Sequence, residues 1–456
     1  PVPGKGEARC RSPMAGWPIV SDTEPKVSLA GLWRALSPSG RWLLSTTAIT
    51  TLGRGMVLPF TIVYLTEVRH VSLDTAGVLM GLIAVAAFVI TGPSGALTDR
   101  IGSRRVVIAA TTLAIAAPLL MGFGTSLPWF LAAVLVMGVG WGMHWGAWNT
   151  LIATVVSGPA RQQFFGVNFA LVNLGIGLGG GISGFFVAVD RPATFTTIFV
   201  LDAVCMLIPL ALFIGPLRHD GAPVPAPEHD DGSGSYRALL RTPAVLWLAG
   251  LSFITTFVGY GQMESGFPAF ARQVSEVSTR TLGLAFAANT LVIVTLQFAV
   301  LQRIEGLRRT RVLIVMSAIW ALSWVVLGAT GLAPGTTSAV IAVVGFMALF
   351  GFGETMMQST IPALVNDLAD DHTRGRANSV NSGAFQLGAI TGPMMAGFVL
   401  HDDRWVAFIA ILIVGCGVVA ASALGIERIV PPAVNGVRDR AAGQDEVEIP
   451  QVPVHD

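Results

Sequence analysis

Apolar residues in this chain do not alternate with polar ones; they run in long blocks. From Trp42 to Gly425 one block follows another, separated by short turns rich in arginine and glycine. A helix needs roughly 20 apolar residues to cross the hydrocarbon core. Backbone in lipid must satisfy its own hydrogen bonds, so each block is read as a helix. The blocks predict helices over 42–66, 75–98, 104–124, 128–154, 164–188 and 192–215. A second set is predicted over 243–269, 281–301, 311–331, 336–360, 376–399 and 405–426. Between the sets, the segment from Pro216 to Arg241 contains GAPVPAPEHDDGSGS and is too polar to span. The expected organisation is an all-α integral membrane fold of twelve transmembrane helices. Residues 1–40 form a disordered N-terminal segment, 41–215 a six-helix bundle and 216–242 a linker. Residues 243–427 form a second bundle and 428–456 a disordered tail.

Composition removes the main alternative. Only 12% of residues are charged, about half the ~25% of a soluble domain. A net charge of +1 gives no reason to expect a nucleic-acid partner. Cys10, Cys205 and Cys416 lie far apart, so neither a disulfide framework nor a metal cluster is expected. The opening PVPGKGEARCRSP has no apolar run of the kind a signal peptide needs. Arginines collect in alternate turns: Arg100, Arg104 and Arg105, then Arg161, Arg218, Arg308, Arg309 and Arg311, and Arg374 and Arg376. The intervening turns hold only Arg69, Arg191, Arg272, Arg280 and Arg404. The richer side is expected to be cytoplasmic, with both termini and the linker on it, in the cell membrane.

The two sets repeat each other. VNFALVNLGIGLGGGISGF from Val167 aligns without a gap on VNSGAFQLGAITGPMMAGF from Val380. At one constant offset Asn168 falls on Asn381, Gly175 on Gly388, Gly179 on Gly392 and Gly184 on Gly397. Asn173 falls opposite Gln386, so an amide recurs. Duplicated bundles around a midplane site are the architecture of secondary transporters.

The turn between the second and third helices reads GALTDRIGSRR, Gly95 to Arg105, with a weaker echo in QRIEGLRR from Gln302. Gly95 is expected to let its helix approach a neighbour closely. Asp99 stands at a helix end with Arg100, Arg104 and Arg105 in the headgroup region. This turn resembles the signature loop of the major facilitator superfamily. LGRGMVLPFTIVYL from Leu52 resembles the first helix of that family's twelve-helix drug:proton antiporter branch. Gly392-Pro393 matches the branch's Gly-Pro element, although the corresponding position in the fifth helix reads Gly179-Gly180. The resemblance implies two pseudo-symmetric six-helix bundles. It also implies a conformational gate of Gly95, Asp99, Arg100, Gly102, Arg104 and Arg105, latched by Asp99, Arg100 and Arg104 on the cytoplasmic side.

Ionisable residues inside spans are costly and usually functional, and four stand out: Arg54, His144, Glu264 and Glu354. They fall in helices 1, 4, 7 and 10, which line the cavity in the resembled family. Matching the halves places Arg54 level with Glu264, and His144 opposite Glu354. A carboxyl in an apolar cavity can exchange a proton near neutral pH, so Glu264 or Glu354 is the expected proton carrier and Arg54 its modulating charge. Competing readings are an Arg54 held by an acid of its own half, a His144 buried neutral, and a Glu264 paired with Arg272. Trp141, Trp145, Tyr260, Gln262, Asn173 and Gln386 are candidate cavity residues. Gly138, Gly142 and Gly146 are expected to pack against another helix. Asn168, Asn381 and Gln297 either line the path or join helices.

No Walker-type phosphate loop is present and lysine occurs only at Lys5 and Lys26, which excludes direct ATP coupling in this chain. No cluster of catalytic residues or metal ligands appears, so no cofactor, metal or catalytic residue is expected. The resulting expectation is a monomeric secondary transporter whose partners are a small-molecule substrate, protons and the lipid bilayer. Proton-coupled efflux of a lipophilic or amphipathic molecule comes first. Alternatives are a proton-coupled nutrient importer, a lipid flippase, or a membrane-embedded enzyme or sensor.

Overall fold

The computed structural model describes residues 29–156, 159–218, 242–304, 306–368 and 374–437. The linker expectation falls largely on residues outside this set, as do those for both extreme termini. Twelve helices are long and apolar enough to cross a membrane. In the first half they are α1 (Pro38–Val68), α2 (Leu73–Ile101), α3 (Ser103–Phe123), α4 (Leu127–Val155), α5 (Pro159–Phe186) and α6 (Pro192–Ile214). In the second they are α7 (Pro243–Gln273), α8 (Thr279–Ile304), α9 (Arg309–Thr330), α10 (Thr337–Leu368), α11 (Arg374–His401) and α12 (Trp405–Ile429). Prolines at the first positions of α1, α4, α6 and α7 set the helical φ where no hydrogen bond is lost. Gly102 ends α2 at φ +91°, a conformation that strains any residue with a β-carbon. The echo of that turn, between α8 and α9, likewise holds Gly306 at φ +75°.

Packing repeats between the halves. In the first, α1 lies on α5 and α6, α2 on α4, and α3 on α4 and α6. In the second, α7 lies on α11 and α12, α8 on α10, and α9 on α10 and α12. The halves meet through α5 on α8 and α2 on α11. The repeated glycines make these contacts possible. A β-carbon on Gly55 would sit 2.5 Å from the Ile176 carbonyl oxygen, and one on Gly388 would sit 2.6 Å from that of Phe253. At the seams Gly184 meets Gly283, and Gly397 meets Gly77. Backbone carbonyls of Gly180 and Pro393 face Gly283 and Gly77 in equivalent places, each 2.6 Å from where a β-carbon would be. The glycine that stands where the second half has proline therefore preserves the close approach. Amides recur too: Thr47 donates to Asn168 at 2.7 Å, joining α1 to α5, and Ser252 donates to Asn381, joining α7 to α11. Gln297 donates to Ser359 at 3.2 Å and joins α8 to α10. These three amides are helix-to-helix ties.

Both seams close only part-way. On the side away from the arginine-rich turns, α2 touches α11 from Gly77 to Gly81, and α5 touches α8 from Gly184 to Gly177. Arg272 of α7 bonds Glu67 of α1 there through two nitrogens, at 2.8 and 2.5 Å. Toward the arginine-rich side contact is lost. β-Carbons on Gly92, Gly95 or Gly166 would meet nothing within 4 Å, and one on Gly383 would meet only Phe88. The close glycine contacts of both seams thus gather on the far side.

Three expectations are corrected. Gly95 makes no close helix approach: a β-carbon there would meet nothing within 4 Å. Gly138 and Gly142 press on α2 at Ile83, Ala86 and Ala87, but Gly146 faces open space. The expected disordered ends are partly built: Leu29–Ala35 is a short helix, and 431–437 docks on the start of α9. Asn435 there accepts from Thr310 N at 3.0 Å and its own carbonyl accepts from Arg309 N at 2.9 Å. An asparagine on a separate segment thereby satisfies amides at the start of α9 that have no partner within the helix.

Candidate functional site

The site begins with two broken helices. Pro59 cannot donate, so α1 loosens around Leu58–Phe60 and re-forms into a π-helical turn at Tyr64–Val68. In α7 the break lies at Gly259, followed by a π turn at Gln262–Gly266. Trp320 of α9, fully buried, occupies the space that side chains at Gly259 and Gly353 would need, and its Nε1 donates to Phe350 O at 3.0 Å. Such interruptions mark functional stretches of helices.

Arg54 stands just before the α1 break and Glu264 within the α7 π turn. Arg54 Nη2 donates to Glu264 Oε1 at 3.0 Å, so the two halves are joined by an ion pair across the central seam. The guanidinium carbon lies 3.2 Å from the centre of the Trp141 ring, a cation–π stack supplied by α4. Arg54 and Glu264 also line a cavity of about 60 Å³ with Thr61, Met80, Met137, Trp141, Asp202 and Met206. Asp202, on α6, is 6% exposed, and its Oδ1 accepts no hydrogen bond. It lines the same cavity as Arg54. Gly53 is required beside it: a β-carbon would sit 2.8 Å from that same Oδ1.

A second polar cluster occupies the other half. Tyr260 of α7 donates its hydroxyl to Glu354 Oε1 at 2.7 Å, and Gln358 Nε2 donates to the Tyr260 oxygen at 2.5 Å. Asn289 of α8 is anchored to α10 by donating to Met347 O at 3.3 Å. Glu354 is 7% exposed and held by a neutral donor.

The other candidates fall elsewhere. His144 stacks on Trp148 at 5.3 Å and 18°, and Trp148 meets Phe213 of α6. His144 is not among the residues lining the Arg54 cavity, and no contact joins it to Glu354 among the described residues. Trp145 is 77% exposed and has no ring partner among the described residues. Gln262 is fully buried and donates to Phe257 O at 2.8 Å and Gly392 O at 3.3 Å. It ties α7 to α11. Asn173 bonds back to Phe169 O at 3.0 Å, and Gln386 is half-buried on α11. Arg104 donates to Phe213 O at 2.7 Å within its own half. Asp99 and Arg100 are exposed, and neither has an ion-pair partner among the described residues. Glu264 does not pair with Arg272, which is engaged by Glu67.

Sequence reading passed over Asp202, Gln358 and the Glu67–Arg272 pair. A lone aspartate in TIFVLDAVCMLIPL was a readable signal. It stands on helix 6, outside the four helices that line the cavity in the resembled family. Glu67 and Arg272 stand at span ends, where charges are common.

Two repeated six-helix bundles that meet around a cavity holding ionisable groups have the architecture of a membrane transporter. The chain belongs to the Major Facilitator Superfamily, whose model matches residues 43–303 and 278–449. It is 23% identical over 376 residues to the uncharacterized MFS-type transporter YdeE of Escherichia coli, covering 78% of this chain and 88% of that protein. It is 24% identical over 354 residues to the quinolone resistance protein NorA of Staphylococcus aureus, covering 77% and 88%. Among solved structures it resembles a POT family transporter in complex with 5-aminolevulinic acid. There the TM-score is 0.71 and identity 14%, over 88% of this chain and 98% of that one. It also resembles the nucleoside transporter NupG, with TM-score 0.68 and 13% identity, over 85% and 99%. The chain is therefore a multi-pass membrane transporter and not an enzyme.

Proposed function

We propose that this transporter exports a lipophilic or amphipathic small molecule in exchange for protons. The observation that carries the reading is the Arg54–Glu264 ion pair, which crosses the seam between the halves within a largely apolar cavity. An ion pair so placed is made in one arrangement of the halves and lost in another. Protonation of Glu264 removes its charge and so biases the equilibrium, which a ligand can shift only by binding one arrangement better. Glu354, held by Tyr260, is the second proton site, and Arg54 sets the charge balance. The methionines of the cavity, Met80, Met137 and Met206, offer adaptable apolar surface to varied ligands. The likeness to the quinolone resistance protein supports the efflux direction.

The basic side is the cytoplasmic one in this reading, and the protein works as a monomer in the cell membrane. Asp99, Arg100 and Arg104 are the latch on that side. Their lack of cross-half partners accords with the absence of close contacts at Gly92, Gly95 and Gly166. The Tyr260–Glu354–Gln358 cluster favours a second reading, uptake of a small polar nutrient, because its donors and acceptors suit a hydrogen-bonding solute.

A direct test compares dyes with nutrients in proteoliposomes under an imposed pH gradient. Accumulation of a lipophilic cation against the gradient, with no movement of nucleosides or dipeptides, supports export. The reverse pattern supports the second reading and overturns the first.

A further inference from the structure

Arg54 shares its cavity with two carboxyls, Glu264 and Asp202. Glu264 belongs to the opposite half and will leave when the far-side seam opens. Asp202 belongs to the same half and will stay. In the closed arrangement Glu264 holds the ion pair at 3.0 Å, while Asp202 Oδ1 is buried without a donor. A second buried carboxylate beside one arginine would leave the cavity with an uncompensated charge, which apolar surroundings oppose strongly. The other groups around Asp202 do not alter this count. Cys205 lies on the same helix, α2, α3 and α4 give the cavity only uncharged side chains, and His144 lies outside it.

We infer that Asp202 is the alternative counter-ion of Arg54, and that Asp202 and Glu264 share one proton. With the far side closed, Asp202 is a carboxylic acid and Glu264 a carboxylate paired with Arg54. When α7 withdraws, the proton on Asp202 ends on the carboxylate of Glu264. Arg54, protonated throughout, closes onto the Asp202 carboxylate. One O–H bond breaks and one forms, and the three groups sum to zero charge before and after. Arg54 therefore never faces the apolar interior unpaired, which is what makes a seam-crossing ion pair breakable. The inference deepens the proton-exchange reading above and rests on it for its place in transport.

Hydrogen exchange at the far-side ends of α2 and α11, residues 73–81 and 388–397, reports opening in protein held in lipid nanodiscs. Asp202→Asn retains the neutral form and removes the alternative counter-ion. It should slow exchange there about tenfold, the change that an ion pair worth ~1.4 kcal/mol makes in an equilibrium. Glu264→Gln mimics the protonated form and should speed exchange at the same segments. Difference infrared spectra, recorded in a Glu354→Gln background to remove that buried carboxyl, should show a protonated-carboxyl band that is missing once Asp202→Asn is added. Unchanged or faster exchange in Asp202→Asn, or a carboxyl band that survives it, overturns the inference. Faster exchange throughout the chain, with a lower melting temperature, would instead mark Asp202 as structural and overturn it too. Neither readout uses a pH gradient. A wild type that fails to couple transport to protons would therefore sink the function reading alone.

Discussion

Arg54 is bound by its geometry more than by its charge. It gives one hydrogen bond to Glu264 and lays its planar group on Trp141. Lysine preserves the charge but not the fork or the stack. Arg54→Lys is therefore expected to lower pH-driven transport by about tenfold or more, with a normal size-exclusion profile. Transport equal to the wild type would show that charge alone suffices. For the carboxyls, Glu264→Gln and Glu354→Gln are each expected to abolish pH-driven transport while leaving substrate exchange at equal pH. Full pH-driven transport in both variants would remove the proposed proton sites. Sequence located three of the four ionisable groups at positions where the structure builds polar contacts across helices. His144 departs from them because helical phase, which sequence gives only to within a turn, turns it toward Trp148. Asp202 was hidden by helix number: α6 reaches the cavity from behind α1, an approach that no periodicity reveals.

Helices show what the repeat means physically. Glycines alignable in sequence are the points at which backbone meets backbone, and each half uses them in the same way. Gly55→Val is expected to lower the melting temperature markedly, because its side chain would strike the Ile176 backbone. Gly95→Ala, in open space, should leave stability within about 0.5 kcal/mol of wild type. Thermal unfolding by intrinsic fluorescence separates the two. A stable Gly55→Val would refute the packing account, and a large loss in Gly95→Ala would refute the open space around Gly95. Spans, repeat and turn glycines were all legible, since block hydropathy and gapless identity encode them directly. The helix breaks were less so. Pro59 was visible, but the break at Gly259 depends on Trp320 arriving from α9.

At the scale of the molecule, the halves touch along two seams whose close glycine contacts lie on the far side. The Glu67–Arg272 pair, each side chain about one-fifth exposed, is a far-side clasp. Glu67→Gln is expected to shift the halves toward far-side opening, read as faster hydrogen exchange over 61–68 and 267–273 with little change near Arg308. Unaltered exchange there would show that the clasp is incidental. This clasp lay beyond sequence reading because its partners are two hundred residues apart and neither stands mid-span.

The central claim is that protons and a lipophilic solute exchange through the cavity spanned by Arg54 and Glu264. Its most direct measurement is lipophilic-cation transport in proteoliposomes of wild type and Glu264→Gln, with and without a pH gradient. The account predicts gradient-driven accumulation in the wild type, its loss in Glu264→Gln, and equal exchange by both without a gradient. Accumulation by Glu264→Gln at the wild-type rate, or wild-type transport indifferent to the gradient, would contradict it.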